Sequence, residues 1–362
     1  WGRGGDLSWV ANALKRDIGG ELPVLVHQIL CYDSFKAIFL CGVESLGAKA
    51  LSNETEIWLW VRSDKQHETL KRRVSRLVKD EGAPKVVYKR LVFGELFSGT
   101  PLEGFYDFDA LTRGDPLPKE KYGLHGWQAV YDAARLAITW KYGGIYMDAD
   151  HIVIKNPAQL PYGFSSYSRL GGANNAFYFP KGHNMTYDLL QWFRENYSGD
   201  DWNQGPKAFK RMWNAGGWQG MCGEAKGKCV PSVQEWPPWV IHPIKYKVYM
   251  PTVLDPNLAT QHMDHGHKRI RDFTFMMHTY SHVSDRPEME FLRKCTRTHP
   301  LNPIGEYERS MIGTHRWKHC PTTVGDMLCE ALNETVPCSR GDSASPHPTT
   351  TTSTGDSVTR QN

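Results

Sequence analysis

Three features are missing from this chain of 362 residues, and each absence excludes a class of protein. No stretch of 18 apolar residues occurs, so the sequence contains no candidate membrane span. The eight cysteines include no Cys-x-x-Cys pair, which argues against a zinc ribbon and a thioredoxin-type redox site. The net charge is only +4, so the composition indicates no nucleic acid or other polyanion as a partner.

The features that are present favour an oxidising secretory compartment. Four N-glycosylation sequons occur, and their asparagines are Asn53, Asn184, Asn196 and Asn333. Together with an even number of cysteines, they indicate a protein that folds where disulfides form. Cys222 and Cys229 are expected to form a local disulfide, and the remaining pairings stay open.

Hydrophobic patterning predicts alternating strands and helices in the first half of the chain. We expect strands at 22–30, 57–61, 85–91 and 145–147, and helices at 34–51, 65–79 and 125–141. Residues 99–123 are rich in Gly, Pro and Asp and are expected to form an exposed loop. A Gly/Asn turn from residue 170 is expected to precede helices at 185–196 and 206–213.

The same patterning divides the chain into three parts. Residues 1–20 are a stem or irregular lead-in, and residues 21–338 form the folded domain. Its nucleotide-binding half is expected at about 21–160 and its acceptor half at about 161–338. Residues 339–362 are rich in Ser, Thr and Pro and are expected to be disordered.

The run Gly143-Gly144-Ile145-Tyr146-Met147-Asp148-Ala149-Asp150 is the most informative motif. Its glycine pair ends a predicted helix, and the apolar residues that follow predict a short buried strand. Alternate side chains of a strand share a face, so Asp148 and Asp150 are expected to point at one ligand. Paired carboxylates suit a hard divalent cation that also holds phosphate oxygens, so the motif predicts a metal-diphosphate site.

A second polar pair lies on the preceding helix. Asp132 and Arg135 are three residues apart and therefore share one helix face. One interpretation is a salt bridge worth about 0.2–0.5 kcal/mol. The other is a pair that grips the hydroxyls of a bound donor, with Arg135 near its phosphates. Spacing alone favours the salt bridge.

Several ordered motifs carry a resemblance to a known family. The segment from Leu22 to Ile29, the Asp132/Arg135 pair and the run from Trp140 to Asp150 resemble the DXD-sugar-binding glycosyltransferases of family 32. Later motifs narrow the resemblance to its α1,4-glycosyltransferase branch. They are Asn174-Asn175-Ala176-Phe177, Asn203-Gln204-Gly205-Pro206, Met277-His278 and His319-Cys320-Pro321-Thr322-Thr323. The resemblance covers roughly residues 22–335.

The resemblance implies a GT-A type nucleotide-sugar-binding fold of the α/β class, with a mixed, mainly parallel central sheet flanked by helices. It also implies a UDP-sugar donor and Mn²⁺, with Mg²⁺ as an alternative. The implied metal ligands are Asp148, Asp150 and His278, and the implied donor-binding residues are His27, Gln28, Asp132, Arg135, Asp148 and Asn175. After His278 the chain departs from the family, because Thr279-Tyr280-Ser281 stands where the family often has an aliphatic residue and Trp-Asn.

Asn174 and Gln204 are the implied catalytic residues. Asn174 is expected at the donor sugar, and Gln204 near the anomeric carbon. A Gln amide is a poor nucleophile because it lacks an anionic oxygen, so front-face displacement with retention of configuration is favoured. The departing phosphate would then help to deprotonate the acceptor.

The resemblance implies a retaining enzyme that moves galactose or N-acetylglucosamine to a terminal sugar of a glycan or glycolipid, in an α1,4-type linkage. Its expected place is the Golgi lumen or secretory pathway, as the soluble part of a type II membrane protein with an anchor before the first residue. One alternative is an α-mannosyltransferase that uses GDP-mannose. Others are a haloacid-dehalogenase-like phosphatase, because Asp148 and Asp150 match its first motif, and a catalytically silent sugar-binding relative.

Overall fold

A computed structural model describes residues 23–30, 37–51, 53–74, 83–113, 118–123, 126–167, 171–197, 204–214, 233–242 and 274–278. The predicted lead-in, the Ser/Thr/Pro-rich tail and the Cys222–Cys229 pair lie outside these residues. So do Asn333 and the motif at 319–323. Across the described ranges, no helix is both long and apolar enough to cross a membrane.

A seven-stranded mixed sheet forms the centre of the fold, in the order β3-β2-β1-β4-β7-β6-β8. The strands are β1 (Val24–Ile29), β2 (Thr55–Val61), β3 (Lys85–Arg90), β4 (Gly144–Met147), β6 (Gly163–Tyr167), β7 (Gly171–Phe179) and β8 (Gln234–Trp236). The first four are parallel to one another, β7 is antiparallel to both neighbours, and β8 is parallel to β6. The predicted mixed, mainly parallel sheet is confirmed. Two further strands, β5 (His151–Val153) and β9 (Met276–His278), pair antiparallel in a small second sheet.

Helices cover both faces of the large sheet. They are α1 (Ala37–Lys49), α2 (Asp64–Val74), α3 (Phe93–Phe97), α4 (Phe108–Arg113), α5 (Lys119–Tyr122), α6 (Gly126–Tyr142), α7 (Asn184–Asn196), α8 (Gln204–Asn214) and α9 (Pro238–Ile241). One core packs α1 and α2 residues against Val26, Ile57 and Ile145. The other packs α6, α7 and α8 residues against Tyr146 and Phe177. The alternation along β4 therefore sends neighbouring side chains into different cores.

The predicted helix stop at Gly143-Gly144 is confirmed, and its physical reason is a close approach. The two residues have φ of +70° and +99°, which side chains other than glycine rarely adopt. A Cβ on Gly144 would lie 2.3 Å from the carbonyl oxygen of Leu25 in β1. Glycine therefore lets β4 start directly against β1, which fixes where the residues after Met147 emerge.

Two predictions for loops and turns are wrong. Residues 99–123 contain α4 and α5 and bury Leu102, Tyr106 and Tyr122, because aromatic packing overrides the Gly/Pro/Asp composition. The expected Gly/Asn turn is instead β7. A Cβ on Gly172 would lie 2.6 Å from Phe209 Cβ, so this glycine permits close packing of the strand on α8.

Candidate active site at the edge of the sheet

The two carboxylates of the DXD motif leave the sheet on a turn. β4 ends at Met147, and the Asp148 backbone N–H still donates to Asn175 O of β7 at 2.8 Å. The His151 N–H then donates to Asp148 O at 3.2 Å, which closes the turn. The expectation that a strand pleat aims both carboxylates is therefore wrong. The turn directs Asp148 towards α6 and Asp150 towards β9.

Arg135 of α6 links three polar groups. Its Nη1 lies 3.3 Å from Asp132 Oδ1 and 3.4 Å from Asp148 Oδ1. The same nitrogen donates to Asn174 O at 3.2 Å. Tyr146 OH donates to Asp148 Oδ1 at 2.8 Å. The predicted Asp132–Arg135 salt bridge exists, and it extends to the first carboxylate of the DXD motif.

Burial dominates the electrostatics of this carboxylate group. It raises the pKa of Asp132 to about 6, although the Arg135 charge acts in the opposite direction. Burial also raises the pKa of Asp148; Arg135 opposes this shift, and the nearby Asp150 charge adds to it. Arg135 is shared between two carboxylates, so one cation compensates them only in part. A bound divalent cation would relieve the remaining repulsion.

Histidines surround the second carboxylate. His278 Nε2 lies 3.3 Å from Asp150 Oδ1, and His151 Nδ1 lies 3.9 Å from the same oxygen. The His151 and His278 rings stack with centroids 4.7 Å apart, and the His242 ring meets His278 edge-on at 5.4 Å. Burial lowers the pKa of His151 to about 3 and holds the pKa of His242 well below its usual range. These two imidazoles are therefore neutral at physiological pH.

The predicted sugar-site residues lie beside these groups. Asn174 is only 9% exposed, and its side chain forms a hydrogen bond with Asp132. Asn175 is held inside the fold, since its Oδ1 accepts from Ser165 Oγ at 2.6 Å and its Nδ2 lies 3.3 Å from His242 Nε2. Gln204 opens α8 and is buried, and its Nε2 donates to Asn196 O at 3.1 Å.

The His27 ring is enclosed by aromatic side chains and by the end of α6. Its Nε2 donates to Gly143 O at 2.8 Å, and its Nδ1 accepts from Trp60 Nε1 at 3.3 Å. Trp58 and Tyr142 also pack on the ring. Burial lowers the pKa of His27 to about 4. Its environment is that of a neutral structural imidazole, and its donor-binding role stays a prediction.

Gln28 is also fully buried, but its amide is not satisfied. Neither Nε2 nor Oε1 of Gln28 has a hydrogen-bond partner among the residues that the structure describes. The residue lies near the carboxyl end of β1, which pairs with β4, the strand that leads to Asp148 and Asp150. An amide in this state is a candidate ligand contact, because buried polar groups normally have partners.

His151 and His242 lie in the site but were not among the site residues predicted from the sequence. His151 follows the DXD motif directly, but only the β5–β9 pairing places it opposite His278. His242 ends α9, and nothing in its local sequence indicates that it reaches Asn175. Adjacency to the acidic motif was the one available signal, and it pointed to His151 alone.

Comparison with known proteins decides the class. Residues 50–166 match the family model described as "Glycosyltransferase sugar-binding region containing DXD motif". Over 292 residues the chain is 27% identical to the lactosylceramide 4-alpha-galactosyltransferase of Mus musculus, covering 79% of this chain and 70% of that protein. The chain is a glycosyltransferase. This confirms the predicted resemblance to the α1,4 branch.

Two further matches place this glycosyltransferase. An 82-residue segment is 42% identical to the human alpha-1,4-N-acetylglucosaminyltransferase, covering 22% of this chain and 24% of that protein. Among solved structures, the PaToxG glycosyltransferase aligns over 58% of this chain and 75% of its own, at 16% identity and a TM-score of 0.41. The α/β fold class follows from the topology of the mixed sheet.

The site of this glycosyltransferase fits a divalent metal. Asp150, His151 and His278 each offer one ligand atom, and these atoms lie within 4.8 Å of one another. All three side chains are buried. Asp148, a predicted ligand, is not in this group, and its Oδ1 is engaged by Tyr146 and Arg135. Imidazole ligands suit first-row transition metals better than they suit Mg²⁺, which prefers oxygen ligands.

Proposed function

We propose that this glycosyltransferase moves galactose or N-acetylglucosamine from a UDP-sugar to a terminal sugar of a glycan or glycolipid, in an α1,4-type linkage. The observation that carries the proposal is the convergence of Asp148, Asp150, Arg135 and His278 at one edge of the sheet. The printed names of the relatives support the two candidate sugars and the linkage.

The proposed metal is Mn²⁺, with Asp148, Asp150 and His278 as ligands and Mg²⁺ as the alternative. When bound, the ion would neutralise charge on the diphosphate leaving group. His278 Nε2 already lies 3.3 Å from Asp150 Oδ1, so the two side chains need little rearrangement to bind one ion. Arg135 and Tyr146 hold Asp148 in place from the opposite side.

The proposed donor contacts follow from the polar groups beside the acidic turn. Asp132 accepts hydrogen bonds from hydroxyls of the donor, and Arg135 lies near the donor phosphates. Asn175 supports the site from within β7, where its backbone oxygen accepts from Asp148 N at 2.8 Å. Gln28 offers a buried amide donor and acceptor, which match the imide edge of uracil and the O6/N1–H edge of guanine alike, so it supports a nucleotide contact without selecting the base.

We propose retention of configuration through front-face displacement. Gln204 lacks an anionic oxygen and is tied to the end of α7 through Asn196 O, so it supports a cationic sugar and does not form a covalent intermediate. Asn174 positions the donor sugar from a buried site next to Asp132. Gln204→Ala should therefore keep UDP affinity and lose turnover, which a titration and a transfer assay on the same preparation would test.

The proposed location is the Golgi lumen or secretory pathway. The three sequon asparagines that the structure describes, Asn53, Asn184 and Asn196, are all exposed. Exposure is what a bulky surface glycan requires, and it supports passage through the secretory pathway. To test this location, the protein is expressed in secreting cells and its mass is compared before and after treatment with an N-glycosidase. We expect the mass to fall.

The first experiment is calorimetric titration of the purified protein with UDP and with GDP, each with and without Mn²⁺. We expect Mn²⁺-dependent binding of UDP only. UDP-galactose and UDP-N-acetylglucosamine are then supplied with a glycolipid that ends in β-galactose, and NMR of the product reports linkage and anomer. Binding of GDP alone would favour the mannosyltransferase. Hydrolysis of a phosphomonoester without nucleotide binding would favour the phosphatase.

A further inference from the structure

We propose that His151 is a second imidazole ligand of the metal, in addition to Asp148, Asp150 and His278. The inference rests on the proposed Mn²⁺ site and adds a residue to it. The three ligand atoms of Asp150, His151 and His278 lie within 4.8 Å of one another, a spacing that one ion can span.

Strand pairing brings the two imidazoles together. In the antiparallel β5–β9 pair, His151 lies directly opposite His278. Their rings stack at 4.7 Å with an angle of 21° between the planes. His278 Nε2 lies 3.3 Å from Asp150 Oδ1, and the His151 ring lies beside the same oxygen, with its Nδ1 at 3.9 Å. Two imidazole rings and one carboxylate therefore lie together.

The lone pair of His151 has no described donor. Its Nδ1 lies 3.0 Å from Asp148 O and near the Asp150 carboxylate, and both of these are acceptors. Its Nε2 is buried and has no hydrogen-bond partner among the described residues. A neutral imidazole carries one proton and one lone pair, so whichever nitrogen holds the lone pair faces no hydrogen-bond donor. A metal ion is the partner that the lone pair lacks.

The backbone around His151 is held rigidly, as a metal site requires. A Cβ on Gly42 of α1 would lie 2.3 Å from Ala149 O and 2.9 Å from His151 O, so α1 touches the turn. The Val153 N–H donates to Ser45 Oγ of α1 at 2.9 Å. Because α1 fixes both ends of this segment, the ring does not need to search for its position when an ion arrives.

A second imidazole changes which ion the site prefers. Nitrogen ligands favour first-row transition metals, and Mg²⁺ favours an octahedron of oxygens. A site with two imidazole ligands should prefer Mn²⁺ over Mg²⁺ more strongly than a site with one. Removal of His151 should therefore lower the ratio of Mn²⁺ affinity to Mg²⁺ affinity.

Two variants separate ligation from the other roles that His151 has in the fold. His151→Phe keeps a ring to stack on His278 but removes both nitrogens. His151→Asn keeps an N–H for Asp148 O and removes the second nitrogen. His67→Asn, at a partly exposed histidine on α2, is the matched control. Thermal unfolding of each variant without metal establishes that it is folded.

The experiment uses the full chain and Mn²⁺ alone as the probe. Continuous-wave EPR of free Mn²⁺ gives the affinity, and pulsed EPR counts the imidazole nitrogens coupled to the bound ion. We expect two imidazoles in the wild type and in His67→Asn. We expect one in His151→Phe and in His151→Asn, with Mn²⁺ affinity reduced by about tenfold or more in both.

One coupled imidazole in the wild type, lost in His278→Asn, would overturn the role of His151 and leave the proposed function intact. Full affinity in His151→Asn with a loss only in His151→Phe would also overturn it, because His151 would then act through the Asp148 carbonyl. Absence of any Mn²⁺ binding by the wild type would instead overturn the metal site of the proposed function.

Discussion

Gly205 is the residue whose substitution tests the architecture of the site most directly. It follows Gln204 at the start of α8 and packs on two predicted site residues. A Cβ on Gly205 would lie 2.0 Å from Asn174 Nδ2, 2.6 Å from Asn174 Cγ and 2.9 Å from Asp132 Oδ2. Asn174 and Asp132 are buried and hydrogen-bonded to each other, so neither can move away without breaking that bond.

The expected cost of Gly205→Ala follows from two opposing effects. Alanine in a helix is favoured over glycine by about 1 kcal/mol. Overpacking a filled site costs about 1–3 kcal/mol, and a clash at 2.0 Å with a buried amide belongs at the upper end of that range. We therefore expect a net loss of about 1–2 kcal/mol in the free energy of unfolding. Turnover should also fall, because either α8 or the predicted site residue Asn174 must shift to make room for the methyl group.

Gly94→Ala is the matched control for this substitution. Gly94 lies in α3, and the nearest atom to its added Cβ is Phe108 Cβ at 3.8 Å, an ordinary contact. Urea unfolding should show that this control is as stable as the wild type or slightly more stable. Transfer assays on both variants then compare turnover at saturating donor. Wild-type stability and turnover in Gly205→Ala would refute the packing of α8 on Asn174 and Asp132.

Three further predictions test the metal, the buried histidine and the buried amide. Asp150→Asn should reduce Mn²⁺ affinity by more than about tenfold without loss of thermal stability. The control Asp64→Asn, at an exposed site, should leave affinity and stability unchanged. Equal Mn²⁺ affinity in the two variants would contradict the proposed metal site. His27 has a pKa of about 4 when folded, so below its unfolded pKa of about 6.5 the unfolded chain binds the proton preferentially and stability falls as the pH is lowered towards 4. Between pH 7 and pH 5, urea unfolding of His27→Gln should therefore lose about 2 kcal/mol less than the wild type, and an equal loss would argue that His27 does not titrate in this way. Gln28→Leu should raise the free energy of unfolding by about 1 kcal/mol, because it removes a buried unsatisfied amide, and should abolish the thermal shift caused by UDP; a lower melting temperature with an intact UDP shift would show that the amide serves the fold instead.

Local sequence patterns were sufficient to predict much of the structure between residues 21 and 160. The apolar runs that became β1 and β2, the amphipathic spacing of α6 and the Gly143-Gly144 stop are short-range signals, since each depends on residues within a few positions. The acidic motif after β4 was visible for the same reason. The Asp132–Arg135 salt bridge was also predictable, because helical spacing alone puts the two residues on one face.

Composition was a poor guide where packing over a distance decides the structure. Residues 99–123 have the composition of a loop, yet Phe105 and Tyr106 pack against the distant Tyr197, and the segment contains two helices. Gly171 and Gly172 read as a turn, yet they begin a nine-residue strand that α8 covers. In both cases the partner lies in another part of the chain, so no local window contains the reason.

By itself, the sequence determined that this chain is an α/β protein with a DXD motif at the end of a buried strand, because periodicity and glycine stops act locally. Only the tertiary structure decided what each carboxylate faces. The turn after Met147 directs Asp148 to Arg135, and the β5–β9 register places His151 beside His278. Strand register depends on contacts between distant segments, and a shift of one residue would turn His151 to the opposite face.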